Sequence, residues 1–206
     1  MRAKTPGTVG WRLVGYCALL LGGMTAALLA WYGTGAAGVR AVIRASAKTS
    51  LILFLCAFVA SSAARRWPAP ATRWLLANRR YLGVSFALSH ALHLAVILIL
   101  LRVDPEFAIS RGTIVGGGLA YLFIFAMAAT SFDRSAAWVG SVVWRRLHTV
   151  GSYYIWFIFF ASYAPRAAIQ SIWYLPLVLL LLAGLFLRLT RKRVASRTSI
   201  VPIPTA

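Results

Sequence analysis

The chain has 206 residues, 61% hydrophobic and 12% charged, and its only acids are Asp104, Glu106 and Asp133, against 22 Lys and Arg. A soluble domain carries about 25% charged residues, so a chain this poor in charge cannot cover a water-facing surface, and lipid must be its solvent. The net charge of +19 does not indicate a nucleic-acid partner, because the basic residues lie between long apolar runs rather than on one polar face. They suit loops that flank membrane spans beside anionic headgroups.

A spanning helix needs about 20 mostly apolar residues. In chain order the predicted spans are residues 11–31, 50–64 (with 41–49 available to extend it backwards), 81–101, 114–130, 148–163 and 172–189. The expected fold is therefore all-α, a polytopic six-transmembrane-helix bundle over residues 1–194. A loosely ordered tail is expected over 195–206, where Pro202 and Pro204 occur without an amphipathic period. Arg2 and Lys4 precede the first run as in a signal peptide, but its apolar stretch exceeds the roughly 7–15 residues of a signal core, which predicts a retained helix.

Between the second and third runs, Pro68 and Pro70 exclude a continuous helix. Residues 135–146, with Trp138 and Trp144, are expected to lie along the membrane surface before the fifth span. Gly112 and Gly116 form a GxxxG, followed by Gly117 and Gly118, and predict close helix packing at the start of the fourth span. Cys17 and Cys56 sit inside apolar runs and suggest small buried hydrophobes rather than a metal site.

Direction follows from Lys and Arg in the gaps. One side collects the N-terminus, the 64–80 loop (Arg65, Arg66, Arg73, Arg79, Arg80), the 131–147 loop and the C-terminal tail, sixteen basic residues in all. The other side holds six: Arg40, Arg44, Lys48, Arg102, Arg111 and Arg166. The positive-inside bias then places both termini in the cytoplasm.

No acid falls inside a span, so the intramembrane polar chemistry reduces to His90, His93 and His148. Ionisable groups at membrane depth mark function by default. From a start near Tyr81, His90 lies roughly 13 Å and His93 roughly 18 Å along the third span, and their spacing of three puts them on one helix face. His148 follows Arg145 and Arg146 near the inner boundary. Three readings are open: imidazoles hydrogen-bonding neighbouring helices, axial ligands to haem, or a transition-metal pair at His90 and His93 without a carboxylate or thiolate to complete it. A small transporter is disfavoured, since no span has a carboxylate or a proline-broken helix pair.

Three stretches resemble the ferric-reductase-like transmembrane domain superfamily, and within it the haem-binding membrane subunit of the bacterial periplasmic methionine-sulfoxide reductase system. Residues 50–66 (SLILFLCAFVASSAARR) resemble its second helix, which ends in a basic loop. Residues 79–94 (RRYLGVSFALSHALHL) resemble its "RRxLGL…LHL" entry into the ligand-bearing third helix, placing His93 on a family histidine. Residues 130–154 (TSFDRSAAWVGSVVWRRLHTVGSYY) resemble its "TS…W…LH…Y" passage, placing His148 on a second. The likeness covers about residues 45–165, with order and spacing kept.

The resemblance implies a b-type haem-binding subunit of the bacterial inner membrane that passes electrons from a reductant inside to an acceptor outside, with His93 and His148 as axial ligands to the haem iron. It is an electron-transfer component rather than a self-contained enzyme. No flavin or NAD domain is expected in the chain, so the electron donor is a separate redox protein or a membrane quinol. One position departs from the family: thirteen residues after His148, where the family has another histidine, stands Ala161. By helical rise that position lies about level with His93, and His90 is the candidate to replace it. The alternative function is a haem-free structural or assembly subunit of a larger membrane complex.

Overall fold

The computed structural model describes residues 10–190, and the expected loose tail of 195–206 lies outside them. The helices are α1 (Trp11–Tyr32), α2 (Ala36–Arg66), α3 (Pro70–Ala77), α4 (Arg79–Val103), α5 (Arg111–Ala129), α6 (Asp133–Val139), α7 (Ser141–Pro165) and α8 (Leu175–Leu189). A π-helical turn, Arg166–Gln170, and a 3-10 turn, Ile172–Tyr174, link the last two, and no strand occurs among the described residues. Five helices are long and apolar enough to cross a membrane: α1, α2, α4, α5 and the segment Ile172–Leu189. The chain is thus a multi-pass helical membrane protein. α7 has the length at 25 residues, but Arg145, Arg146 and His148 in its first half and Tyr153 and Tyr154 beyond dilute its apolar character, and it is not among the five.

One predicted boundary is extended and one is corrected. The second span includes the backward extension through 41–49 and is a continuous helix of 31 residues, about 46 Å long by helical rise and so longer than a hydrocarbon core of about 30 Å. Arg40, Arg44 and Lys48 disguise its first half as a loop. Their spacing of four puts all three on one exposed stripe, while Val39, Val42, Ser46 and Ser50 form the buried face. The expected surface segment 135–146 is split at Gly140, whose φ of 81° lies in the left-handed region that favours glycine. Only Asp133–Val139 forms the short helix before it, with Trp138 88% exposed. Trp144, Arg145 and Arg146 instead belong to the start of α7.

α4, α2, α8, α7 and α5, in that order around the bundle, each touch the next, and α5 returns to α4. Each contact has a local cause. α2 and α4 join through small polar side chains, with Ser50 Oγ and Ser89 Oγ 2.8 Å apart and both residues fully buried. Gly184 lets α8 approach α2, since a Cβ there would lie 3.2 Å from Leu55 and 3.3 Å from Val59. The Trp156 indole donates to the Leu181 carbonyl at 2.9 Å, tying α7 to α8. Gly151 of α7 accepts Met127 and Phe123 of α5, and the Tyr154 hydroxyl donates to the Gly116 carbonyl at 3.1 Å. Of the predicted glycine cluster only Gly116 makes such an approach, because a Cβ at Gly112, Gly117 or Gly118 would meet nothing within 4 Å. The α4–α5 seam is the loosest of the ring and is bridged by rings, His90 and Tyr121 lying 5.0 Å apart.

α1 lies outside this ring against α2 and α4. Trp11 packs on Tyr81 and Phe132 at its start, with both ring centroids 5.4 Å away. At the opposite end of the bundle Arg40 pairs with Asp104 and lies over Phe107. Loss of this half-exposed link, in Arg40→Ala or Asp104→Ala, is expected to destabilise the detergent-solubilised protein by about 0.2–1 kcal/mol. The double variant should be scarcely worse than either single one in thermal unfolding. Fully additive losses would show that the two side chains act independently.

A chamber with one histidine in its wall

The five ring helices, with Leu76 and Ala77 of α3 and Asp133 and Ala136 of α6, line a partly open chamber of about 440 Å³, within the usual range of cofactor sites. It lies toward the end of the bundle where α4 and α7 begin and α2, α5 and α8 finish. Phe54 and Phe58 of α2, Phe86 of α4, Ile124 and Met127 of α5 and Ile155 of α7 make its walls apolar. Its polar groups are Arg79, Arg80, Thr130, Ser131, Asp133, Trp144, His148, Ser152 and Arg188. An apolar slot with a few convergent polar groups is the usual form of a small-molecule site.

The basic groups are held from different helices. Arg79 donates to the Ala57 carbonyl and to Ser61 Oγ, each at 3.1 Å. Arg80 pairs with Asp133 at 2.7 Å. Arg188, only 5% exposed, donates to Ser152 Oγ at 2.9 Å and to the Phe58 carbonyl at 3.3 Å. Its guanidinium also lies 4.1 Å from the Phe58 ring centre and 4.8 Å from that of Tyr153, a desolvated cation–π sandwich. By sequence Arg188 belongs with the basic residues that set the direction of the last span. Its position within the apolar run LFLRL of α8 was the available signal that it is buried.

His148 enters the wall from α7. Its Nε2 lies 3.1 Å from Thr130 Oγ1, and its ring stacks on Trp144 with centroids 4.3 Å apart. The Trp144 indole in turn donates to the Thr130 carbonyl at 2.9 Å. Because the Thr130 hydroxyl donates to the Ala126 carbonyl at 2.8 Å, its lone pair is left to accept from the imidazole.

Of the chain's three histidines, His148 alone lines the chamber. The structure does not bring it together with His93, the partner expected from the sequence. His93 Nδ1 lies 3.0 Å from Ser46 Oγ, so that ring turns toward α2. His90 stacks on His93 at 5.3 Å, and its Nδ1 is buried without a hydrogen-bond partner among the described residues. It packs against Phe86, Tyr121 and Phe159, one helical turn beyond the chamber's Phe86. The shared face of His90 and His93 is thus present, but Phe54, Phe86 and Phe159 pack together at 5.4 to 6.1 Å between it and the chamber.

Ala161 is exposed, while Ile155, Phe159 and Tyr163 of the same helix are buried. Position 161 is 200° around α7 from Phe159, the residue that touches His90. Helical rise gives a level along the axis but not a rotation, and position 161 is turned away from the face of α7 that packs on His90. Among the described residues no three His, Cys, Asp or Glu side chains converge, so the transition-metal reading of His90 and His93 gains no support. Cys17 and Cys56 are free and half-buried.

The residues lining the chamber fit a b-type haem held by one imidazole. Thr130 stays satisfied if His148 leaves it, because its hydroxyl also bonds helix carbonyls. Arginines are the natural counterions for the two carboxylates that haem carries on an otherwise apolar ring. A bis-histidine pair does not line the chamber.

Comparison with protein-family models, with curated proteins and with solved structures finds no match for the chain.

Proposed function

We propose that this chain is a b-type haem-binding membrane subunit for electron transfer, related to the ferric-reductase-like transmembrane domains. The observation that carries the reading is His148 in the wall of an apolar, arginine-bearing chamber between the ring helices. When bound, haem supplies a one-electron carrier whose potential follows its ligands and burial. The chain would supply the imidazole of His148, whose ring stacks on Trp144, and the cationic groups Arg79, Arg80 and Arg188. The reading assigns one haem rather than two, since the space around His90 is filled by Phe86, Tyr121 and Phe159.

The proposal includes six crossings, α7 being the additional one. Its length of 25 residues and its seat between α5 and α8 support this. With the Lys and Arg bias, the chamber end faces the cytoplasm of a bacterial inner membrane. A donor then docks at that face as a separate redox protein or arrives as a membrane quinol, and the acceptor lies across the membrane. The basic loop carrying Arg65, Arg66, Arg73, Arg79 and Arg80 would steer an acidic protein toward the chamber. Absorbance tests the proposal: protein purified from haem-supplied cells should show b-type Soret and alpha bands in a reduced-minus-oxidised spectrum. Their absence would leave the haem-free structural or assembly subunit as the function.

A further inference from the structure

We propose that α2 carries a binding site for an anionic phospholipid at the end of the bundle remote from the chamber, its headgroup phosphate held by Arg44 and Lys48. Arg40, Arg44 and Lys48 follow one another at a spacing of four on the exposed face of α2, where like charges repel. Asp104 relieves Arg40, but neither Arg44 nor Lys48 meets an acid among the described residues. A second copy of the chain suits them poorly as a partner. Of its three acids, Asp104 and Asp133 are already paired with Arg40 and Arg80, so it could bring only Glu106 to two cations.

Contacts on both flanks of α2 fix the level of the two cations. Gly184 of α8 lies against Leu55 and Val59, and α2 and α8 both finish at the chamber end. α8 begins at Leu175, nine residues before Gly184 and so about level with Lys48. Lys48, Ile52, Leu55 and Val59 share one face of α2 by helical spacing. The face that meets α8 lower down therefore carries the cations where α2 rises beyond the start of α8. On the other flank Thr49 reaches Met24 of α1, which puts Trp31 about level with residue 42. Trp31 and Trp173, just before α8, are both exposed, and tryptophan at span ends marks the headgroup level of a bilayer. Arg44 lies at that level and Lys48 about 6 Å deeper, a distance its flexible stem covers. Exposed Ile52 continues the same face toward the hydrocarbon. Two cations at headgroup level above an apolar stripe fit a phosphate that carries acyl chains. A zwitterionic headgroup brings its own cation and suits them less.

The test titrates the full chain, purified in detergent, with phosphatidylglycerol or phosphatidylcholine of the same acyl chains and counts bound lipid by native mass spectrometry. Phosphatidylglycerol should bind roughly 30-fold more tightly, about fivefold for each cation. Arg44→Gln combined with Lys48→Gln should abolish that preference. Arg102→Gln combined with Arg111→Gln removes the same charge from exposed positions at the same end of the bundle and should leave the preference intact. All four side chains are exposed, so both double variants should unfold at the wild-type temperature when lipid is absent. Equal binding of the two lipids by the wild type overturns the inference, as does an undiminished preference in Arg44→Gln with Lys48→Gln. Equal loss in the control pair also overturns it, because the effect would then be one of net charge. Inorganic phosphate should not displace the lipid; displacement would make this a site for a free anion and overturn the assigned ligand. None of these outcomes depends on haem content.

Discussion

His148→Ala is expected to bring the haem content of the purified protein to background, with both b-type bands lost. Of the three histidines it alone lines the chamber, and the arginines that remain supply charge but no iron ligand. The fold should survive the change. Thr130 keeps its bonds to the Ala126 and Met127 carbonyls, so no buried donor is orphaned, and circular dichroism should be that of the wild type. His93→Ala gives the contrasting result. It removes the partner of Ser46, 3.0 Å away, and is expected to lower stability by about 1 kcal/mol while leaving the spectrum unchanged. Equal haem loss from both variants would mean that the two imidazoles share a site, contrary to the geometry described.

Gly38→Ala is expected to be the most destabilising single methyl on the described chain. A Cβ at Gly38 would lie 1.8 Å from the Gly33 carbonyl oxygen, 3.0 Å from its carbon and 3.4 Å from Leu29. The obstacle is backbone, so no flexible side-chain tip can move aside. Gly33 itself ends α1 with a φ of 81°, a conformation that only glycine adopts readily, and the turn cannot relax without moving α1. Overpacking of this kind costs about 1–3 kcal/mol and occasionally more. Thermal unfolding in detergent reads it, with Gly22→Ala as the control, since a Cβ there meets nothing within 4 Å. Because α1 stands outside the ring, the haem spectrum of Gly38→Ala should be that of the wild type. An unfolding midpoint equal to that of the control would contradict the tight α1–α2 connection.

Hydropathy makes most of the bundle legible. The first and third spans, read as 11–31 and 81–101, fall within two residues of Trp11–Tyr32 and Arg79–Val103 at each end, because an apolar run bounded by charge has little freedom once lipid is the solvent. The start of the second span is the hardest to read, because Arg40, Arg44 and Lys48 interrupt the run. Their period of four describes an amphipathic helix, and a count of apolar residues cannot register that period. The histidines were legible as the intramembrane polar groups, and their spacing correctly paired His90 with His93 on one face. Their grouping into sites was not legible. Whether His93 meets His148 depends on rotation about two helix axes, and the same rotation turns Ala161 away from Phe159. Neither angle is fixed by a hydrophobic run. Arg188 was hidden for a related reason: a basic residue near the end of a span looks like an interfacial anchor, and only packing against Phe58, Tyr153 and Ser152 makes it part of a chamber wall.

The most direct measurement is the haem-to-protein ratio of the full chain purified from haem-supplied cells, with a reduced-minus-oxidised spectrum of the same sample. The account predicts one b-type haem per chain, lost in His148→Ala and retained in His93→Ala. A ratio near zero for the wild type, or two haems per chain, would contradict it.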